Sequence, residues 1–135
     1  MPAKNFLALD VGEKRVGMAL GDSQIKIAVP FGYLERSDDI IKQIIEVMLQ
    51  HKISTVVVGY PRNQSGESTK QTDLVKEFAD ELSQIDIDAD LVFQDESLTS
   101  VEAERRLGRV KDKGQIDAEA ASIILQDYLE ENYGF

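Results

Sequence analysis

Apolar residues along this chain first keep a short period and then switch to a helical one. Residues 5–11 (NFLALDV) form an almost continuous apolar run, the mark of a strand covered on both faces. A turn at Gly12 separates it from a second strand over 16–20. Residues 25–34, interrupted by Pro30, predict a third strand at an edge, because proline cannot donate to a ladder. Three strands with short connections make an antiparallel meander.

Over 38–50 the period changes, and Ile41, Ile44, Ile45 and Met48 line one helical face. TVVVG (55–59) is a short β-branched strand. A helix over 68–83 opens with the capping-box spacing Ser68-x-x-Gln71 and carries Leu74, Val75, Phe78, Ala79 and Leu82 as its stripe. A fifth strand covers 91–93, and Thr99-x-x-Glu102 starts a helix running towards Gly108. Residues 108–115 are polar and basic, a loop, and a last helix opens at Asp117 and continues to about Asn132. The order β-β-β-α-β-α-β-α-α predicts a mixed five-stranded α/β sheet with helices on both faces. Strand one is central, with the meander on one side and later strands parallel to it on the other.

In such sheets sites form beyond the carboxyl ends of the parallel strands, where the strand order reverses. Asp10 and Glu96 fall at or just past those ends. Asp117 shares a helical face with Ala120, Ala121 and Ile124, so it lies at the end of a buried stripe rather than serving only as an N-cap. The two alanines let that helix approach the sheet closely. A fold that gathers Asp10, Glu96 and Asp117 makes a cluster of oxygen donors suited to Mg²⁺ or Mn²⁺, and two such ions clamp a phosphodiester during in-line displacement. Asp95 neighbours Glu96, and side chains diverge along a strand, so at most one of the pair enters a shared site. Asp10, Gly12 and Gly17 form D-x-G-x-x-x-x-G, in which backbone can approach a phosphate closely.

Composition narrows the chemistry. The 135 residues fit one domain, 1–135, and no apolar run approaches the ~20 residues of a membrane helix. The chain has no cysteine, which excludes disulfides, thiol catalysis and thiolate zinc sites. The single histidine, His51, lies near a helix end, so a general base must be a carboxylate or a metal-bound water. The first residues lead into a strand rather than a signal segment, an expectation of cytoplasmic location. Net charge is −10, which on average disfavours nucleic acid, but local distribution decides contact. Arg105, Arg106, Arg109, Lys111 and Lys113 stand against one acid, Asp112; Lys14 and Arg15 form a second basic pair, and Arg62 stands in a loop. These eight residues are the expected nucleic-acid contacts. Each helix has a single stripe that the sheet can cover, so the expectation is a monomer or weak dimer.

Four segments also carry a resemblance: 7–22 (LALDVGEKRVGMALGD), 56–66 (VVVGYPRNQSG), 95–104 (DESLTSVEAE) and 116–129 (IDAEAASIILQDYL). Together they resemble the signature blocks of the YqgF/RuvX family, RNase H-fold proteins similar to Holliday junction resolvases and regarded as nucleases that mature the 5′ end of 16S rRNA. The resemblance implies a strand order of 3-2-1-4-5, metal-dependent phosphodiester cleavage and a cytoplasmic location. It places Asp10, Glu96 and Asp117 at the family's catalytic carboxylate positions. It favours pre-rRNA, with a pre-ribosomal particle as a further partner, over a DNA junction. Ser97 departs from the pattern, which usually has arginine after the Asp-Glu pair.

Two other functions fit the same residues. D-x-G-x-x-x-x-G also occurs in actin-like and sugar-kinase phosphate loops, although those folds enclose a nucleotide between two such domains. A ribosome-assembly factor that binds pre-rRNA without cutting it would have much the same sequence.

Overall fold

The computed structural model describes residues 3–61, 70–85, 88–96 and 112–134. The strands are β1 (Asn5–Val11), β2 (Arg15–Asp22), β3 (Val29–Glu35), β4 (Thr55–Pro61) and β5 (Asp90–Glu96); the helices are α1 (Ile40–Gln50), α2 (Lys70–Ser83) and α3 (Lys113–Tyr133). The sheet runs β3-β2-β1-β4-β5. β1 pairs antiparallel with β2 and parallel with β4, and β4 pairs parallel with β5. The expected topology, with β1 central and β3 at an edge, is therefore present. The expected helix from Thr99, its Thr99/Glu102 box, and Ser68 lie outside the described residues.

Alternation along β1 separates two cores. Leu7, Leu9 and Val11 pack with Ile40, Ile44 and Met48 of α1 and Val75, Phe78 and Leu82 of α2. Phe6 and Ala8 face the other way, against Ala121, Ile124, Leu125 and Leu129 of α3. Asp10, next in the even series, is therefore on the α3 face. Several strands, α1 and α3 extend or shift by a few residues at an end relative to the sequence expectation.

The largest correction concerns α3. It starts at Lys113, not Asp117, and Asp112 is its N-cap, the side chain accepting from the Gly114 amide at 2.9 Å. Residues 112–115, expected in the basic loop, are thus the cap and first turn of the helix. Asp117 lies a full turn inside, where the N-cap role is closed to it. The helix runs over the sheet with Gly114 beneath the Tyr33 ring of β3, and a Cβ at Gly114 would overlap that ring. Farther along, Gln126 clamps the segment before β3, accepting from the Ala28 amide at 2.9 Å and donating Nε2 to the Lys26 carbonyl at 3.2 Å. Near the end of α3, Tyr128 and Tyr133 flank Phe6, with centroids 5.7 and 5.5 Å away.

A second correction concerns the surface. The sequence shows no apolar face beyond the helical stripes, yet Ile25 is 67% exposed, Val29 57% and Leu49 68%, beside partly exposed Phe31 and Tyr33. Apart from Leu49, near the end of α1, these residues lie on and before the edge strand, whose neighbour β2 covers only one side. The Phe31 ring meets His51, the C-cap of α1, edge-on at 4.9 Å.

Candidate active site

Three parallel strands place their carboxyl ends together, so Asp10 near the end of β1 and Glu96 at the end of β5 share one end of the sheet. Glu96 closes the β4–β5 ladder opposite Pro61; its side chain lies outside the described residues. Asp10 is half-buried and sits directly across the β1–β2 ladder from Gly17.

Gly17 decides what joins Asp10. A Cβ there would overlap the Asp117 carbonyl and the Ala118 amide, so α3 rests its backbone on this bare position. Asp117 is consequently one strand spacing from Asp10, on the same face. Through Gly17 the backbones of these two of the three expected acids are neighbours. Ala118, Ala120 and Ala121 are buried in this contact region, small enough for the helix to come so close.

Neither glycine of the D-x-G-x-x-x-x-G pattern opens towards a phosphate. The space above Gly17 holds α3, and the Gly12 amide donates to the Arg15 carbonyl at 2.9 Å, closing the β1–β2 turn. The spacing serves packing and a tight turn.

Arg15 is also engaged differently from its expected role as a phosphate contact. Its Nε donates to Asp117 Oδ2 at 2.8 Å, with both side chains about a quarter exposed, 25% and 27%. The hydrogen bond to Asp117 raises the Arg15 pKa further above its already high ordinary value, with burial opposing it. Lys14 and Lys113 are exposed, at the turn and at the start of α3. Arg62, Arg105, Arg106, Arg109 and Lys111 lie outside the described residues.

Two supporting residues escaped the sequence reading. Gln71, expected in a capping box, donates Nε2 to the Val11 carbonyl at 2.9 Å and so ties α2 to the end of β1. Arg36 reaches the Gly12 carbonyl through Nη1 at 3.3 Å while its guanidinium lies 5.2 Å from the Phe78 ring centroid. Its amide also donates to the Lys14 carbonyl at 2.9 Å. No periodicity announces either contact, because both reach between elements distant in sequence.

The donors gathered here are hard carboxylate oxygens, which fit Mg²⁺ or Mn²⁺. Among the described residues no three His, Cys, Asp or Glu side chains are grouped to hold a metal. The described part of the site is thus the Asp10–Asp117 pair, with Glu96 known by its backbone position.

Residues 4–131 match the family described as RuvX, Holliday junction resolvase. The chain belongs to the RuvX family. A Chloroflexus aurantiacus relative named "Putative pre-16S rRNA nuclease" is 43% identical over 132 residues, covering 93% of this chain and 86% of its own. One of the same name from Rickettsia typhi is 34% identical, covering 96% and 86%. Among solved structures, T. thermophilus RuvC in complex with a Holliday junction substrate superposes with a TM-score of 0.60 at 13% identity, covering 96% of each chain. The yeast mitochondrial Holliday junction resolvase gives 0.54 at 11%, covering 99% of this chain and 83% of its own. These two likenesses establish the RNase H-like resolvase fold. As a RuvX member the chain is a nuclease, a hydrolase acting on phosphodiester bonds. Among the described residues no helix is long and apolar enough to cross a membrane.

Proposed function

We propose that this RuvX member is a single-domain, metal-dependent nuclease that acts in the cytoplasm on pre-16S rRNA during maturation of its 5′ end. The observation that carries the reading is the meeting of Asp10 and Asp117 over Gly17 at the carboxyl end of β1. Two acids from elements so distant in sequence have no packing reason to share a half-buried corner. Clustered carboxylates of this kind favour nearby positive charge, of which Arg15 on Asp117 supplies one part. The names carried by relatives at 34% and 43% identity supply the substrate.

In this reading Asp10, Glu96 and Asp117 hold Mg²⁺ or Mn²⁺. An ion held there would supply Lewis-acid polarisation of a phosphodiester and activation of a water. The protein's own part is positional. The sheet fixes Asp10, α3 fixes Asp117 against a glycine that leaves it no slack, and Gln71 anchors the strand end beside Asp10. Lys14, Lys113, Arg62 and the basic residues from Arg105 to Lys111 are assigned to neutralising backbone phosphates. The local basic surface works despite a net charge of −10.

Side-by-side assays test the reading, with Mn²⁺ or Mg²⁺, on a short pre-rRNA 5′ leader and on a mobile four-way DNA junction. Cleavage of the leader, abolished in Asp10→Asn, is expected. Symmetric junction cleavage with the RNA left whole would make the protein a resolvase instead. A junction enzyme needs paired sites in a dimer, for which the apolar β3 edge is an available surface. Tight RNA binding without cleavage, equal in Asp10→Asn, would identify a non-catalytic assembly factor.

A further inference from the structure

Arg15 stands where it can oppose the metal. We infer that its guanidinium is a latch on Asp117: it occupies Oδ2 in the free protein and moves to a substrate phosphate when nucleic acid arrives, releasing Asp117 to the ion. The inference rests on the metal-dependent reading above and adds an order of events to it.

Three observations carry it. The contact is direct, Nε to Oδ2 at 2.8 Å, and it engages one of the three acids assigned to the metal. A cation and a guanidinium compete for the same oxygen charge. The pair is also partly exposed, each side chain about a quarter, so it is not sealed in the core and solvent or a ligand can reach it. Guanidinium forks match phosphate geometry well, which gives Arg15 a second partner once a backbone is near.

The third observation is that only the side chain has to move. The Arg15 backbone is fixed by the turn bond from Gly12, and the turn is held by both Arg36 contacts, to the Lys14 and Gly12 carbonyls. Across the β2–β3 ladder Arg15 stands opposite Glu35, a second acid at this corner. Swinging off Asp117 therefore requires rotamer changes and no rearrangement of the sheet. The consequence is a linkage: phosphate binding and metal binding favour each other, because each removes the other's competitor.

Mn²⁺ titration of the whole protein without nucleic acid tests this, followed by electron paramagnetic resonance of the free ion. Arg15→Gln is expected to bind Mn²⁺ about fivefold or more tightly than the natural protein, at the low end of ordinary coupling strengths. Arg15→Lys falls between, since a point charge keeps the attraction but loses the fork. Lys14→Gln removes a neighbouring charge not bonded to Asp117 and changes Mn²⁺ affinity much less. In EDTA, Arg15→Gln weakens binding of a short single-stranded RNA and lowers its salt slope by about 0.7, the share of a single phosphate.

Unchanged or weaker Mn²⁺ binding in Arg15→Gln, with binding in the natural protein lost in Asp117→Asn, overturns the latch alone. Equal tightening by Lys14→Gln also overturns it, leaving only a general field effect. A natural protein that binds no Mn²⁺ overturns the latch and the metal-dependent reading together. Thermal melts accompany each variant, and Arg15→Lys carries the test if the glutamine variant does not fold.

Discussion

The backbone of Asp117 lies where the side chain of any residue but glycine at position 17 would stand. One strand spacing away, Asp10 faces the same position from the central strand. This close approach makes a packing glycine into a determinant of site geometry. Gly17→Ala is expected to force α3 outward and destabilise the fold by about 1–3 kcal/mol, the usual range for overpacking. Urea unfolding measures this, and nuclease assays should show a loss larger than the unfolded fraction explains. Full stability and activity in Gly17→Ala would mean that the helix does not rest on this strand.

Asp10→Asn keeps the shape of the side chain while removing the negative charge proposed to hold the metal. Cleavage should fall by more than about 100-fold, beyond the loss typical of residues that merely support a metal ligand. The melting temperature should hold or rise, since the clustered charges are relieved. Metal-dependent turnover at the natural rate in this variant would exclude Asp10 from the chemistry.

Replacing Arg109, Lys111 and Lys113 together by alanine should weaken RNA binding and flatten its salt dependence. The slope should drop by up to about 0.7–0.9 for each phosphate that is no longer neutralised. Binding measured at several salt concentrations gives the slope directly. An unaltered slope would reduce these residues to a solvated segment.

Gln71→Ala removes the donor from the Val11 carbonyl, beside Asp10 in the chain. A single net hydrogen bond contributes about 0.5–1.5 kcal/mol, so a small drop in stability is expected. The more telling readout is Mn²⁺ affinity, which should weaken as the end of β1 loosens. Unchanged affinity would restrict Gln71 to joining the helix and strand.

Much of the fold is legible from residue pattern because the informative signals are periodic. The continuous run of β1 announces a central strand, Pro30 an edge, and the stripe of α1 a helix. Asp10 stands out in the sequence because a carboxylate inside such a run is costly to ionise unless paired or metal-bound. Asp117 is legible as to face but not as to helix position. Its context, KDKGQID, reads as a polar loop, whereas Asp112 caps that segment and Tyr33 covers Gly114. Tertiary packing there overrides local propensity. The glycines mislead for a related reason: a bare position suits a phosphate and a helix backbone alike, and only the third dimension shows which is present. The Arg15–Asp117 pair joins positions 102 residues apart, a separation no spacing rule spans. The apolar β3 edge is hidden in the sequence because Ile25, Val29 and Phe31 look like any strand until their exposure in the fold is seen.

The helix that carries Asp117 also covers the whole Phe6–Ala8 side of the sheet. Strands β1 to β5 are all synthesised before it, ending at Glu96. A nascent chain therefore holds Asp10 and Glu96 before it holds Asp117, and cannot complete the trio until residues 113–133 have cleared the exit tunnel. In the proposed reading the three-acid site is therefore the last part of the fold to be completed.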